Sequence, residues 1–183
     1  NYFDIIDTPN KAYILGLICA DGCNFPPKGT VFISLQESDK DLLEKIRKEI
    51  HSECPLKFVD QSKRTNSNYT YNNMYTMSMY SKHMCSSLEK LGVVKNKSLV
   101  LKYPDIPNNL HSHFLRGYFD GDGSIYRHVK NENNKMITLT FTSTEKFCVK
   151  AKEIIENELN IRCAIYDASC HNGITKVLTI TGA

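Results

Sequence analysis

Two aspartates, Asp21 and Asp122, hold the same place in two copies of one short motif. The first copy is Ile14-Leu15-Gly16-Leu17-Ile18-Cys19-Ala20-Asp21-Gly22. The second is Phe114-Leu115-Arg116-Gly117-Tyr118-Phe119-Asp120-Gly121-Asp122-Gly123. Gly16 aligns with Gly117, Ala20 with Gly121, Asp21 with Asp122 and Gly22 with Gly123, at a constant offset of 101 residues. Paired carboxylates are hard oxygen ligands that suit a divalent cation such as Mg²⁺, which keeps some waters and shares its coordination with phosphates. A metal held there could activate a water and stabilise the leaving oxygen of a phosphodiester.

The pattern around the acids says how they would meet. Small residues four apart lie on one helix face. Gly16 with Ala20, and Gly117 with Gly121, give two such faces, narrow enough for helix backbones to approach closely. The flanking Leu15, Leu17, Ile18, Leu115, Tyr118 and Phe119 would then point into the two cores. Packed face to face, the helices deliver Asp21 beside Asp122. Helix C-termini carry partial negative charge, and two carboxylates there repel each other, so a cation is the expected companion. A calcium-binding helix-loop-helix is excluded. Setting Gly123 at loop position 6 puts Tyr118 and Val129 where acidic ligands are needed.

Composition narrows the class. The 183 residues are 41% hydrophobic, with a net charge of +3, an ordinary globular balance compatible with nucleic acid. No apolar run approaches the roughly 20 residues that span a bilayer, and no signal segment precedes Asn1, so a cytoplasmic chain is expected (organellar or nuclear in a eukaryote). The seven cysteines, Cys19, Cys23, Cys54, Cys85, Cys148, Cys163 and Cys170, form no C-x-x-C pair and read as free thiols in a reducing compartment.

Periodicity supplies the scaffold. Thr8-Pro9-Asn10 starts a helix running to Asp21, with Gly22 ending it at positive φ. A turn at Phe25-Pro26-Pro27-Lys28-Gly29 leads to a strand over Thr30–Gln36. Ser38-Asp39 caps a second helix with the apolar stripe Leu42, Leu43, Ile46 and Ile50. Strands follow at 54–60 and 72–80 around a polar loop, then a helix over 81–91. After a joint interrupted by Pro104 and Pro107, the pattern restarts: helix 111–122, strands at 124–128 and 136–142, a helix from 143 or 144 to 159, and strands at 162–168 and 176–181. Two half-domains, 1–94 and 111–183, joined by a linker at 95–110, are expected. Each is an α+β αββαββα unit, the second without its final helix in this sequence. They would pack through the motif helices, and each antiparallel sheet would form half of a DNA-binding saddle.

On these motifs and this pattern, the sequence resembles the LAGLIDADG homing endonucleases in their single-chain, two-motif form. The resemblance covers nearly the whole chain. It implies a monomeric, site-specific endonuclease, associated with an intron or intein, that hydrolyses both strands of double-stranded DNA. It implies Mg²⁺, with Mn²⁺ or Ca²⁺ able to take its place, at Asp21 and Asp122, with Gly22 and Gly121 beside them in the metal site. The Asn96-Lys97-Ser98 step matches the family's basic residue ahead of the second motif, making Lys97 the cation near a scissile phosphate. The polar pair that ends the second strand of each repeat reads Gln36-Glu37 and Thr142-Ser143. Gln36 fits that pattern, whereas Glu37 replaces a positive charge. DNA contacts would come from Lys28, Lys57, Lys63, Arg64, Tyr69, Tyr71, Arg127, Lys130, Lys135, Arg162, His171 and Lys176, on the strands and their loops. The departures keep open an alternative: a DNA- or RNA-binding relative with weakened catalysis, such as a maturase or a transcriptional regulator.

Overall fold

The computed structural model describes residues 2–61, 71–131, 134–168 and 174–182, with backbone alone at 128–131, 134–135 and 182. The first half runs α1 (Pro9–Asp21), β1 (Gly22–Phe25), β2 (Thr30–Gln36), α2 (Lys40–Glu49), β3 (Leu56–Val59), β4 (Met74–Tyr80) and α3 (Lys82–Lys90). The second runs α4 (His111–Asp122), β5 (Gly123–Asn131), β6 (Asn134–Thr144), α5 (Glu145–Leu159), β7 (Cys163–Asp167) and β8 (Thr175–Gly182). The strands build two antiparallel sheets of identical connectivity, β1-β2-β4-β3 and β5-β6-β8-β7. This is the two-half α+β architecture expected from the sequence.

Local chemistry sets the helix starts. The side chains of Thr8, Ser81 and Thr144 accept from the backbone N–H of Lys11, Met84 and Phe147 and so cap α1, α3 and α5. Asp39 stands at the start of α2 without a side-chain cap bond. Between the halves, the joint folds into two short 3₁₀ turns, Lys97–Leu99 and Asn108–Leu110.

Two expectations are corrected. Gly22 is not left-handed: at φ −82° and ψ 161° it opens β1, a strand that periodicity did not show. Glycine is needed there for space, since a Cβ would lie 2.7 Å from the Ile18 Cα. The equivalence of Gln36-Glu37 with Thr142-Ser143 also fails. Gly22 pairs with Ile33, and Gly123 with Phe141. The counterpart of Gln36, three residues beyond Ile33, is therefore Thr144.

Strand alternation divides each sheet into a helix-covered face and an open face. Val31, Ile33, Met77 and Met79 point to the helices in the first half, and Phe141 and Leu178 in the second; all are buried in one core with Leu15, Leu17, Ile18, Phe114 and Tyr118. Leu115 and Phe119 pack partly buried against that core. The halves differ in cover. Asn24 is fully buried, donating to Cys85 O at 2.9 Å and Val93 O at 2.8 Å. Its register counterpart Ile125 is 64% exposed.

Candidate active site

The site begins with two glycines that let α1 and α4 touch backbone to backbone. A Cβ on Gly16 would lie 2.1 Å from Phe114 O, and one on Gly117 would lie 2.0 Å from Tyr13 O. No other residue fits that crossing. One turn further on, a Cβ on Gly121 would meet the Ala20 Cβ at 2.5 Å and Asp21 Oδ2 at 3.0 Å. Gly121 thus lies beside the Asp21 carboxylate, and the two helix C-termini emerge together. Across the same crossing, Tyr13 donates to Asp120 Oδ2 at 2.8 Å, and the Arg116 guanidinium lies 4.7 Å from the Tyr13 ring centroid.

Beside this crossing is a cavity of about 340 Å³ lined by Cys19, Ala20, Lys97, Ser98, Leu101, Tyr118, Asp122, Thr142, Ser143 and Thr175. Lys97 enters it from the joint between the halves. It is only 8% exposed, and its ammonium donates to Ala20 O at 2.9 Å, at the C-terminal end of α1. A cation there meets both the carbonyl and the negative end of the helix dipole.

The electrostatics follow from crowding like charges. Both motif aspartates are exposed residues, yet both carboxyls are pushed above the usual carboxylate range. For Asp21 the cause is first desolvation by its surroundings, then the Asp122 charge, with Asp39 adding to it and Lys97 opposing. For Asp122 desolvation again leads, opposed by Lys97 and by hydrogen bonding from Tyr118. Burial pushes Lys97 down, and nearby anions hold its charge in place. Burial also pushes the Cys19 thiol up to about 12. Cys19 is therefore neutral near pH 7, and the aspartates are the anions that support Lys97.

These groups fit a hard divalent cation. Two carboxylates converge where two helix ends already favour positive charge, and the Ala20 carbonyl lines the same cavity. No cluster of three or more His, Cys, Asp or Glu side chains suited to a metal occurs among the described residues. A cation here would draw on two carboxylates, backbone oxygen and water, the ligand set of Mg²⁺ rather than of zinc. Gly22 is buried in β1 and does not line the cavity; Ala20 does.

The other residues singled out from sequence are scattered. Gln36 is exposed and accepts from Asn72 Nδ2 at 3.1 Å. Lys28 lies exposed in the turn before β2, and Lys57 is on the open face of β3. Tyr71 and Arg162 are exposed just ahead of β4 and β7. The register puts Arg127 opposite Ile137 and Lys176 opposite Ser143, both on the helix-covered side of the second sheet; Lys176 is paired with Asp167. Lys130 and Lys135 fall within β5 and β6. Lys63, Arg64, Tyr69 and His171 lie outside the described residues.

Sequence reasoning read Tyr118 as core, Asp39 as a helix cap and Thr142-Ser143 as the strand-end pair, and gave neither these nor Thr175 a place beside the two acids. The Tyr118 hydroxyl bonds Thr142 O at 3.1 Å and Ser143 Oγ at 3.0 Å. It sits one helical turn before Asp122, and that spacing was the available signal. The six described cysteines are free thiols, as expected.

Residues 109–183 match the LAGLIDADG-like domain family. No curated protein matches the chain by sequence. Solved structures that share the fold include full-length DUF199/WhiA from Thermatoga maritima: 15% identity, 97% of this chain and 54% of that one, TM-score 0.58. The chain thus spans about half the length of that protein. The homing endonuclease I-DmoI in complex with DNA and Mn aligns at 16% identity over 98% of this chain and 90% of that one, with a TM-score of 0.56. The meganuclease I-SmaMI bound to uncleavable DNA aligns at 13% identity over 93% and 78%, with a TM-score of 0.57. No helix among the described residues is long and apolar enough to cross a membrane. Residues 109–183 thus resemble the LAGLIDADG-like domain family, and the chain as a whole shares its two-half fold with solved structures of LAGLIDADG proteins.

Proposed function

We propose that the chain is a divalent-metal-dependent DNA endonuclease that acts as a monomer on a long double-stranded site. The observation that carries this reading is the convergence of Asp21 and Asp122 at two helix C-termini, with Lys97 beside them. Asp21 and Asp122 would hold Mg²⁺ or Mn²⁺, and Ca²⁺ would occupy the same positions. When bound, the metal supplies water activation and charge stabilisation at the leaving oxygen. Lys97 places an ammonium near a scissile phosphate, where developing negative charge is stabilised. The Tyr118 hydroxyl, held on the end of β6 by Thr142 and Ser143, lies close enough to Asp122 to lower its carboxyl and would steady it. The open sheet faces lie along the major groove. I-DmoI, which shares the fold, is described in complex with DNA and Mn and with DNA and Ca.

A second reading, a DNA- or RNA-binding protein with weak or absent catalysis, is favoured by the acidic surroundings of Asp21. Asp39 raises the Asp21 carboxyl, and Glu37 stands where the resemblance expects a cation. The deciding experiment incubates the protein with a randomised duplex library in Mg²⁺ or Mn²⁺ and sequences nicked and cleaved ends. Under the nuclease reading, cleavage depends on metal, and Asp21→Asn or Asp122→Asn lowers it at least about 10³-fold while duplex affinity stays within about threefold. Retained double-strand cleavage in either variant overturns the mechanism. Metal-independent binding without cleavage selects the second reading.

A further inference from the structure

The open face of the second sheet has an unusual composition for a surface that meets DNA. The register fixes its members: Ser124 pairs with Thr140 and Tyr126 with Thr138, while Thr140 and Thr138 face Thr179 and Thr181 on β8. On β7, Ala164 lies opposite Thr179 and Tyr166 opposite Val177. Tyr126 and Tyr166 are 52% and 60% exposed at its flanks. Thr140 and Thr179 are half-buried at its centre, Thr181 is exposed, and Thr138 is buried at 8% exposure. The side chains described on this face within β5–β8 are uncharged; alternation also assigns His128 to it, and Arg162 stands exposed just ahead of β7. It runs continuously into the Asp122 cavity through Thr142 and Thr175, which alternation places on the same side.

Lysine and arginine on a strand face mostly grip phosphates and fix register, and they carry sequence information only through base edges. Threonine does something else. Its methyl packs on the C5-methyl of thymine, and its hydroxyl accepts or donates to a neighbouring base edge. Thr140, Thr179 and Thr181, set on a sheet at strand spacing, are the accessible threonines that can present methyls to successive bases. We propose that this face is the specificity-determining surface of the second half, reading a thymine-rich half-site through thymine methyl groups, with Thr140 and Thr179 at its centre. The inference rests on the DNA-binding reading above and deepens it. It also commits to DNA over RNA, because uracil lacks the methyl being read.

The test uses the protein in Ca²⁺, selecting bound duplexes from a randomised library. The half-site whose preference shifts in Thr140→Ser identifies the bases read by the second half. That half-site is expected to be thymine-rich, and replacing its thymines by deoxyuridine lowers affinity about three- to fivefold per methyl in contact. Thr140→Ser and Thr179→Ser, which keep the hydroxyl and remove the methyl, produce a similar loss on thymine DNA and none on deoxyuridine DNA. A G·C-rich half-site, indifference of the wild-type protein to deoxyuridine, or an equal serine penalty on both DNAs overturns the inference. In each case metal-dependent cleavage can still stand. Tighter binding to RNA of the same sequence, or selection of no duplex at all, overturns the inference together with the DNA reading on which it rests.

Discussion

Gly16 and Phe114 are in direct backbone contact: a Cβ on Gly16 would lie 2.1 Å from the Phe114 carbonyl oxygen. The reciprocal contact joins Gly117 to Tyr13 O, at 2.0 Å from a Cβ there. Everything at the site depends on this crossing, because it sets the separation of the two helix ends that carry Asp21 and Asp122.

Gly16→Ala and Gly117→Ala are therefore expected to destabilise the protein. In an open helix, Gly→Ala would gain about 1 kcal/mol. Here the methyl must push two backbones apart, an overpacking that costs roughly 1–3 kcal/mol or more. Urea unfolding should show a lower midpoint for both variants, and an unchanged or higher midpoint in either would refute the close crossing.

The two acids are held against their electrostatic preference, so removing a charge should help the metal-free fold. Asp21→Asn and Asp122→Asn are expected to raise the metal-free Tm near pH 7, with added Mg²⁺ then stabilising the variants less than the wild type. Both carboxyls titrate higher in the folded state than in the unfolded chain. The folded state thus binds more protons, and these groups make stability fall as pH rises from the unfolded carboxylate range through the raised folded pKa. Calorimetry of the metal-free protein between pH 3.5 and 7 should show that trend weakened in the double Asn variant.

Lys97 ties the linker to the motif. Lys97→Met removes the bond to Ala20 O and the cation beside both carboxylates, and leaves their repulsion without its nearby counter-charge. The expected result is a lower metal-free Tm, with Mg²⁺ raising Tm by more than in the wild type; Lys97→Arg should recover part of the loss. A Met variant as stable as the wild type without metal would show that Lys97 is not the counter-charge.

Tyr118→Phe isolates one hydroxyl. The ring keeps its packing against Phe147, at 4.4 Å between centroids, and Phe141, at 5.4 Å, while the bonds to Thr142 O and Ser143 Oγ are lost. Stability should fall by about 1 kcal/mol. Metal affinity, measured by Tb³⁺ luminescence, should fall several-fold if the hydroxyl orients Asp122; a purely structural role would change stability alone.

Asn24→Ala tests the contact between β1 and the segment around α3. It removes two hydrogen bonds that a fully buried amide donates to the Cys85 and Val93 carbonyls, a loss of roughly 1–2 kcal/mol read from the urea unfolding midpoint. Among the described residues the Asn24 Oδ1 has no hydrogen-bond partner, so Asn24→Ala also removes a buried unsatisfied acceptor. That gain keeps the expected loss below the sum of two full bonds.

The duplication, the two motif helices, their small-residue faces and most strand positions were legible in the sequence. Each is written in local spacing: four-residue intervals on helices, two-residue alternation on strands, and a 101-residue offset between halves. β1 was not legible, because four residues beginning with Gly22 carry too little alternation to register. The register was also hidden. A pairing such as Gly123 with Phe141 depends on strands meeting in space, and it alone moves the counterpart of Gln36 to Thr144 and turns Arg127 and Lys176 toward the helix-covered side. The local motif named the acids, but only the tertiary structure assembled their surroundings. Lys97 reaches Ala20 across 77 residues of chain, Tyr118 anchors on β6, and a threonine-lined face opens beside them. Those contacts join segments distant in sequence, and no periodicity within either segment encodes the distance between them.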